Sequence, residues 1–290
     1  MTLPAEQIAR HPNIVPSLRF LAKTLRERFD NGPRLARLLA SHQRWLLTQV
    51  AYALHHERDP AQPFSGLTTV GLRDAITEYR VASRNTVLSF IEELKTYRFI
   101  LSPPEEEGRR PRRYVPTDVS QKAMFGWCLA NLAALDLLDN GNRADVLSAN
   151  PHLMHLLQPR VARNCLNDLR WREPPERVGL FLWTEAGGLV VDHLIANLDC
   201  QVRNNEQIDI GRIDTRVLAG QFMMSRTHLQ RLLRKAAGRG CVGWYDPPKK
   251  TQLWMSRDFL DEYCGWQAVK LSIVDEAFAW ATQNMGASGT

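Results

Sequence analysis

Two stretches of the chain carry arginine, amide and hydroxyl side chains at the start of a helical pattern. The first reads Val81-Ala-Ser-Arg-Asn-Thr-Val, and the second, 142 residues later, reads Met223-Met-Ser-Arg-Thr-His-Leu. Arginine can donate two hydrogen bonds to guanine, and asparagine or glutamine can pair in the same way with adenine. These residue types therefore offer hydrogen bonding to base edges and phosphates, not the making or breaking of covalent bonds.

Each stretch continues as an amphipathic helix for which Ser83 and Ser225 are predicted N-caps. The apolar positions that we expect to face inward are Val87, Phe90, Ile91, Leu94, Leu229, Leu232, Leu233 and Ala236. Polar side chains remain on the outer face, where they could enter the major groove of DNA. The residues predicted to contact DNA are Ser83, Arg84, Asn85, Thr86, Ser89, Ser225, Arg226, Thr227, His228, Gln230, Arg231, Arg234 and Lys235.

A basic hairpin is predicted after each helix. The first joins strands at Ile100 and Tyr114, and the second joins strands at Val242 and Trp254. Arginine is favoured in narrow minor grooves, whereas lysine supplies charge to the phosphate backbone. The predicted hairpin contacts are Arg109, Arg110, Arg112 and Arg113 in the first and Lys249 and Lys250 in the second.

Positive charge is concentrated in the second stretch. The chain of 290 residues has a formal net charge of +6. Residues 223–250 carry seven basic side chains against one acidic one, whereas residues 81–113 carry seven against five. A local surplus of this size indicates a polyanionic partner.

The first stretch resembles the reading helix and wing of the MarR family of winged helix-turn-helix regulators. The similar residues are Ser83-Arg84, Ile91-Glu-Glu-Leu, Phe99-Ile-Leu and Gly108-Arg-Arg-Pro-Arg-Arg-Tyr-Val-Pro-Thr, within residues 34–140. Gly108 and Pro116 stand where the family commonly has an acidic residue and a leucine, and the second half is similar only in outline. The resemblance implies a fused version of the family's homodimer, whose terminal helices intertwine.

The elements around the two stretches predict a mainly α fold with small β-hairpin wings. We expect tandem winged helix-turn-helix domains that form an intrachain pseudo-dimer, with one half at residues 1–148 and the other at 149–290. One supporting helix is predicted to have Ser17 as its N-cap, and a second is predicted to end near His56. Two further supporting helices are predicted over residues 121–138 and 257–283. Two short helical patterns precede Pro174 in the second half. The long helices, which carry excess apolar residues, are expected to pack against each other.

Other signals are weaker. Gly238-Arg-Gly-Cys-Val-Gly matches a dinucleotide-binding pattern, but a helix is predicted before it and a strand after it, the reverse of the required order, so no cofactor is expected. His152 and His155 lack further metal ligands at a suitable spacing. The five cysteines are expected to be small core residues in a reducing cytoplasm. Four tryptophans could line a site for an aromatic effector, namely Trp45, Trp127, Trp183 and Trp266.

These patterns predict a cytoplasmic, sequence-specific double-stranded DNA-binding protein that is not an enzyme. The expected role is transcription regulation at an asymmetric site, by a monomer with internal pseudo-symmetry that could dimerise further. The alternatives are a plasmid or phage replication initiator, whose sites would be repeated in series, and a protein-interaction scaffold without affinity for DNA. The apolar stretch at 178–198 is broken by polar residues, so no membrane association is expected.

Overall fold

The computed structural model describes residues 2–31, 40–62, 65–104, 110–199 and 206–285. It is mainly helical, with small antiparallel sheets. The helices are α1 (Ala5–Ala9), α2 (Ile14–Asn31), α3 (His42–His56), α4 (Thr69–Glu78), α5 (Arg84–Thr96), α6 (Asp118–Asp139), α7 (Arg143–Ala149), α8 (Met154–Asn167), α9 (Leu169–Arg172), α10 (Glu176–Leu182), α11 (Gly187–Ala196), α12 (Thr215–Gln221), α13 (Arg226–Gly238) and α14 (Arg257–Gln283). The strands are β1 (Ile100–Leu101), β2 (Val115–Pro116), β3 (Gln207–Arg212), β4 (Val242–Trp244) and β5 (Gln252–Ser256).

The order of elements in α3 to α6 returns in α11 to α14. We call these the first unit and the second unit. In the second unit, β3 follows the first helix and the sheet order is β3-β5-β4, all antiparallel. In the first unit, a single bridge between Thr68 and Arg113 stands in the place of β3, and β1 pairs with β2. Each unit is therefore a helix, a strand or bridge, two further helices, a hairpin and a long helix.

Equivalent backbone contacts fix α5 and α13 to the hairpins that follow them. Phe99 N donates to Leu94 O at 2.8 Å, and Cys241 N donates to Ala236 O at 2.9 Å. The residues just before, Arg98 and Gly240, both have a positive φ, 55° and 68°.

The long helices are tied to the same two turns. Thr117 Oγ1 donates to Arg98 O at 3.1 Å, and Ser256 Oγ donates to Gly240 O at 2.6 Å. Thr117 and Ser256 are the N-cap residues of α6 and α14. The two units thus repeat in hydrogen-bonding detail as well as in element order.

The helices outside the units are exchanged between them. α2 lies against α6 and also against α11 of the second unit, while α8 lies against α14 and also against α3 of the first unit. In the same manner, α1 packs on α14 and α7 packs on α6. Each of these contacts has a reciprocal counterpart, which is the contact pattern of a pair related by a twofold rotation.

A buried ionic cluster lies where the two long helices meet. Arg143 Nε donates to Asp275 at 2.7 Å, and its terminal nitrogens donate to Asp136 at 3.1 Å and to Asp139 at 2.6 Å. Asp275 is only 2% exposed and also accepts from Leu3 N at 2.7 Å. These carboxylates raise the pKa of Arg143 further, so its charge is fixed. The α6–α14 contact confirms the predicted packing of the long helices.

Most predicted helix limits are confirmed, with two corrections. α2 begins at Ile14, and Ser17 is an internal residue whose hydroxyl donates to Ala134 O at 2.5 Å; the prediction that Ser17 caps this helix is wrong. The two short helical patterns before Pro174 correspond mainly to one helix, α8, followed by the short α9. Residue 148 lies within α7. No single helix among the described residues is long and apolar enough to cross a membrane, although α10 and α11 together would be, across a bend of 113°.

Candidate nucleic-acid interface

The first candidate surface is the outer face of α5. Ser83 Oγ accepts from Thr86 N at 3.2 Å and also contacts the Thr86 hydroxyl at 2.9 Å, which confirms Ser83 as the N-cap. Arg84, Asn85 and Ser89 are exposed. The opposite face, as predicted, is buried in the first unit through Val87, Phe90, Ile91 and Leu94.

The second candidate surface is the outer face of α13, which has the same length and the same cap. Ser225 Oγ accepts from His228 N at 3.1 Å, and the His228 ring lies 3.3 Å from a terminal nitrogen of Arg231. All four predicted apolar positions are buried. The exposed side chains are Arg226, Thr227, Arg231, Arg234 and Lys235, while Gln230 is partly exposed.

The turns before the two helices differ in length by one residue, so the alignment of the two stretches changes before the N-caps, while Ser83 and the helix that follows still correspond to Ser225 and its helix. Arg80 and Met223 are the left-handed residues of these turns, with φ of 54° and 50°. The next residue donates back to the preceding helix in both, Val81 N to Ile76 O at 3.3 Å and Met224 N to Ala219 O at 3.0 Å. Val81 therefore corresponds to Met224, not to Met223 as the sequence comparison predicts, because the first turn holds one extra residue.

The first hairpin meets the prediction only in part. Arg110 and Arg112 are exposed, and Arg109 lies outside the described residues. Arg113 is only 8% exposed and forms the bridge with Thr68, so its predicted role as a DNA contact is wrong. Arg113 lies on the part of the hairpin that returns to the sheet, where its backbone pairs with Thr68 and its side chain is buried. Arg110 and Arg112 border a groove of about 550 Å³ that also contains Glu92 and Lys95 of α5.

The second hairpin presents Lys249 and Lys250, both exposed, on a loop held by Asp246. The Asp246 carboxylate accepts from the backbone N–H of Thr251 at 2.9 Å and of Gln252 at 3.0 Å. These hydrogen bonds, that of Gln252 first, lower the pKa of Asp246 to about 2. The one acidic residue in this basic stretch therefore orders the loop that carries the two lysines.

The outer faces of α5 and α13 differ more in charge than the net charges of the two whole stretches indicate. Glu92 of α5 corresponds to Arg234 of α13, and Glu93 corresponds to Lys235. Glu92 is bound by Lys95 at 2.8 Å, and Glu93 by Arg44 of α3 at 2.7 Å. The outer face of α13 is thus strongly basic, whereas that of α5 is close to neutral.

Two arginines that the sequence does not single out pack on the ends of α4 and α12, the helices that precede α5 and α13. Arg26 of α2 lies 4.6 Å above the ring of Phe222, the residue that ends α12. Arg172 of α9 lies 5.3 Å above the ring of Tyr79, the residue that ends α4, and the Tyr79 hydroxyl donates to Asn167 at 2.6 Å. The available signal was an aromatic residue a few positions before each predicted recognition helix, Tyr79 and Phe222, but the partner arginine is distant in sequence.

The predicted tryptophan site divides into a cavity and a ring cluster. Trp45 and Trp127 border a mainly apolar cavity of about 60 Å³ between α3 and α6. Trp266 stacks on Trp171 at 4.0 Å, and His42 meets Trp183 edge-on at 5.3 Å. Pockets for drug-sized ligands commonly measure roughly 300–1,000 Å³. An aromatic effector therefore stays a prediction, and this cavity would have to enlarge to admit one.

The remaining residues with potential chemistry are structural in their surroundings. Cys128, Cys165 and Cys241 are free and buried, and Cys264 is buried, as predicted, whereas Cys200 lies outside the described residues. α13 precedes and β4 follows the glycine-rich stretch 238–243, which is the predicted order. Within the described part of the chain, histidine, cysteine and carboxylate side chains form no group of three or more suited to a metal ion.

Comparison of the chain with protein families, with curated proteins and with solved structures finds no match.

Proposed function

We propose that each unit is a winged helix-turn-helix and that the chain is a sequence-specific double-stranded DNA-binding protein. In this proposal α5 and α13 are the recognition helices and the hairpins β1–β2 and β4–β5 are the wings. The observation that carries it is the repeated exposure of a polar helix face beside a basic hairpin. A recognition helix must combine a buried apolar face with a polar face that reaches base edges, and both helices have this form.

Transcription regulation is the role that we propose. The pseudo-twofold relation between the units supports a site of two inverted half-sites, since the symmetry of a protein pair is mirrored in its operator. The different outer faces of α5 and α13 support half-sites of different sequence. We also propose that the target is prokaryotic DNA and that the location is cytoplasmic.

The test is selection of binding sites from random DNA with the purified chain, followed by titration in increasing salt. We expect an imperfect inverted repeat and binding that weakens steeply with salt. Half-sites repeated in series would instead favour a replication initiator. If no sequence is enriched and no salt-dependent binding is measured, the proposed function is wrong.

A further inference from the structure

One large apolar side chain stands within the polar outer face of α5. Leu88 is 39% exposed and lies one helical turn from both Arg84 and Glu92. α5 already buries Val87, Phe90, Ile91 and Leu94 on its other face. Leu88 therefore adds little to the core of the first unit and projects from the surface that we assign to DNA.

The equivalent position in the second unit is polar. Gln230 of α13 corresponds to Leu88, and Arg231 corresponds to Ser89. Gln230 and Arg231 can each form two hydrogen bonds with a base edge, whereas Leu88 can form none. The two helices therefore differ in the hydrogen-bonding capacity of equivalent side chains as well as in net charge.

We propose that Leu88 is a specificity-determining residue that packs on the 5-methyl group of a thymine. This inference rests on the proposed function. This methyl group is the apolar feature of the major-groove edge, where the other groups of the bases donate or accept hydrogen bonds. Asn85, on the same face, has the two-point hydrogen bonding that suits adenine. The half-site under α5 therefore contains an A·T pair at the position of Leu88, where the half-site under α13 presents a hydrogen-bonding base edge to Gln230 and Arg231.

A protein partner fits this surface less well. The neighbours of Leu88 on the outer face are Arg84, Asn85, Ser89 and Glu92, and all are polar. Surfaces that dock proteins through apolar contact usually expose a contiguous patch of roughly several hundred Å². A single leucine flanked along its helix only by polar groups is suited to a small apolar target such as one methyl group.

The experiment uses the full chain and the site obtained by selection. Each thymine of that site is replaced in turn by deoxyuridine, which removes only the 5-methyl group, and the Kd is measured for each duplex. We expect one thymine position, in one half-site only, at which the replacement weakens binding about fourfold, as expected for the loss of one buried methyl group. The variant Leu88→Ala should bind the unmodified site more weakly by a similar factor and should not respond to deoxyuridine.

The matched control is Leu137→Ala, because Leu137 is a similarly exposed leucine on α6, 44% exposed and away from α5 in the chain. It should bind as the unmodified protein does and keep the response to deoxyuridine. Thermal unfolding of both variants checks that neither substitution disturbs the fold.

Two results would overturn the assignment of Leu88 while DNA binding itself stands. One is a selected site in which every deoxyuridine is neutral, and the other is a deoxyuridine effect that persists in Leu88→Ala. If selection enriches no sequence at all, the proposed function fails first, so the two failures are distinguishable.

Discussion

At the scale of single residues, Arg234 and Ser89 provide the clearest contrast between the two outer faces. Arg234 is exposed and lies on the strongly basic helix, whereas Ser89 is exposed on the nearly neutral one. An arginine that contacts phosphate releases a counterion on binding, but a serine does not.

We therefore predict that Arg234→Ala weakens DNA binding more than Ser89→Ala does. Arg234→Ala should also reduce the slope of log K against log salt by about one unit. Filter binding or fluorescence anisotropy over a range of salt concentrations measures both quantities. An unchanged slope would remove Arg234 from the phosphate contacts.

The outer faces could be predicted from the sequence because the period of a helix fixes which positions share a side. The prediction failed at Arg113, whose direction depends on the pairing of the return strand with Thr68, 45 residues earlier. It also passed over Leu88, because an apolar residue next to an apolar stripe is ordinarily assigned to the core. At Arg113 the missing information was the tertiary partner, whereas the outer position of Leu88 follows from its spacing of four residues from Arg84 and Glu92.

At the scale of elements, His42 joins α3 of the first unit to α9. Its Nε2 lies 3.1 Å from Trp171 O and 3.2 Å from Arg172 O, and its ring is enclosed by tryptophans. Burial lowers the pKa of His42 to about 4, despite these two carbonyls, which act in the opposite direction. The folded chain therefore holds His42 neutral at pH values where an unfolded chain would protonate it.

This lowered pKa predicts a loss of stability in acid. As the pH falls below about 6.5, the unfolded chain binds a proton that the folded chain does not accept until about pH 4. The stabilising contribution is thus present above pH 6.5 and is lost between these two values, by roughly 3 kcal/mol for this one group.

Urea unfolding at a series of pH values measures the effect. In His42→Asn the free energy of unfolding should depend less on pH between 6.5 and 4 than it does in the unmodified protein. His152, which is exposed, gives the matched control His152→Asn, whose pH dependence should remain that of the unmodified protein. Equal pH dependence in all three proteins would contradict the assignment.

Helix limits were predicted well where a residue caps or stops a helix locally. Asn140, in the left-handed conformation with φ of 57°, ends α6 as the Asn-Gly pair indicates. Ser17 misled because it has the chemistry of a cap but uses its hydroxyl on Ala134 of another helix. Nothing within a few residues of Ser17 distinguishes these two uses.

At the scale of the whole molecule, Arg143 connects the two halves of the chain. It binds Asp136 and Asp139 of α6 and Asp275 of α14. Removing one partner of a buried ion pair leaves an uncompensated charge, which costs roughly 3–5 kcal/mol. We predict that Arg143→Ala destabilises the protein by about this amount, as measured by urea unfolding.

The matched control is Arg170→Ala. Arg170 also binds two carboxylates, Asp168 and Glu6, but its side chain is 60% exposed. Exposed ion pairs contribute about 0–1 kcal/mol, so the control should unfold nearly as the unmodified protein does. Equal losses in the two variants would contradict a central role for the Arg143 cluster.

The repeated stretches predicted a duplication, and the family resemblance implied intertwined terminal helices, but the residue pattern of α2 and α8 did not indicate which surfaces they pack on. An amphipathic stripe indicates that a helix is covered and does not indicate which surface covers it. The reciprocal packing of α2 on α11 and of α8 on α3 depends on the path of the chain between the units. The predicted boundary near residue 148 separates the two repeats in sequence, but α2 packs on the second unit and α8 packs on the first.

The covalent link between the two exchanged halves has a consequence for assembly. A dimer built from separate subunits dissociates on dilution, and its subunits can mix with those of related proteins. Here each half meets its partner at a fixed effective concentration, because both belong to one polypeptide. The pairing of the units is therefore independent of how many copies of the protein a cell contains, and a single translated chain already carries both.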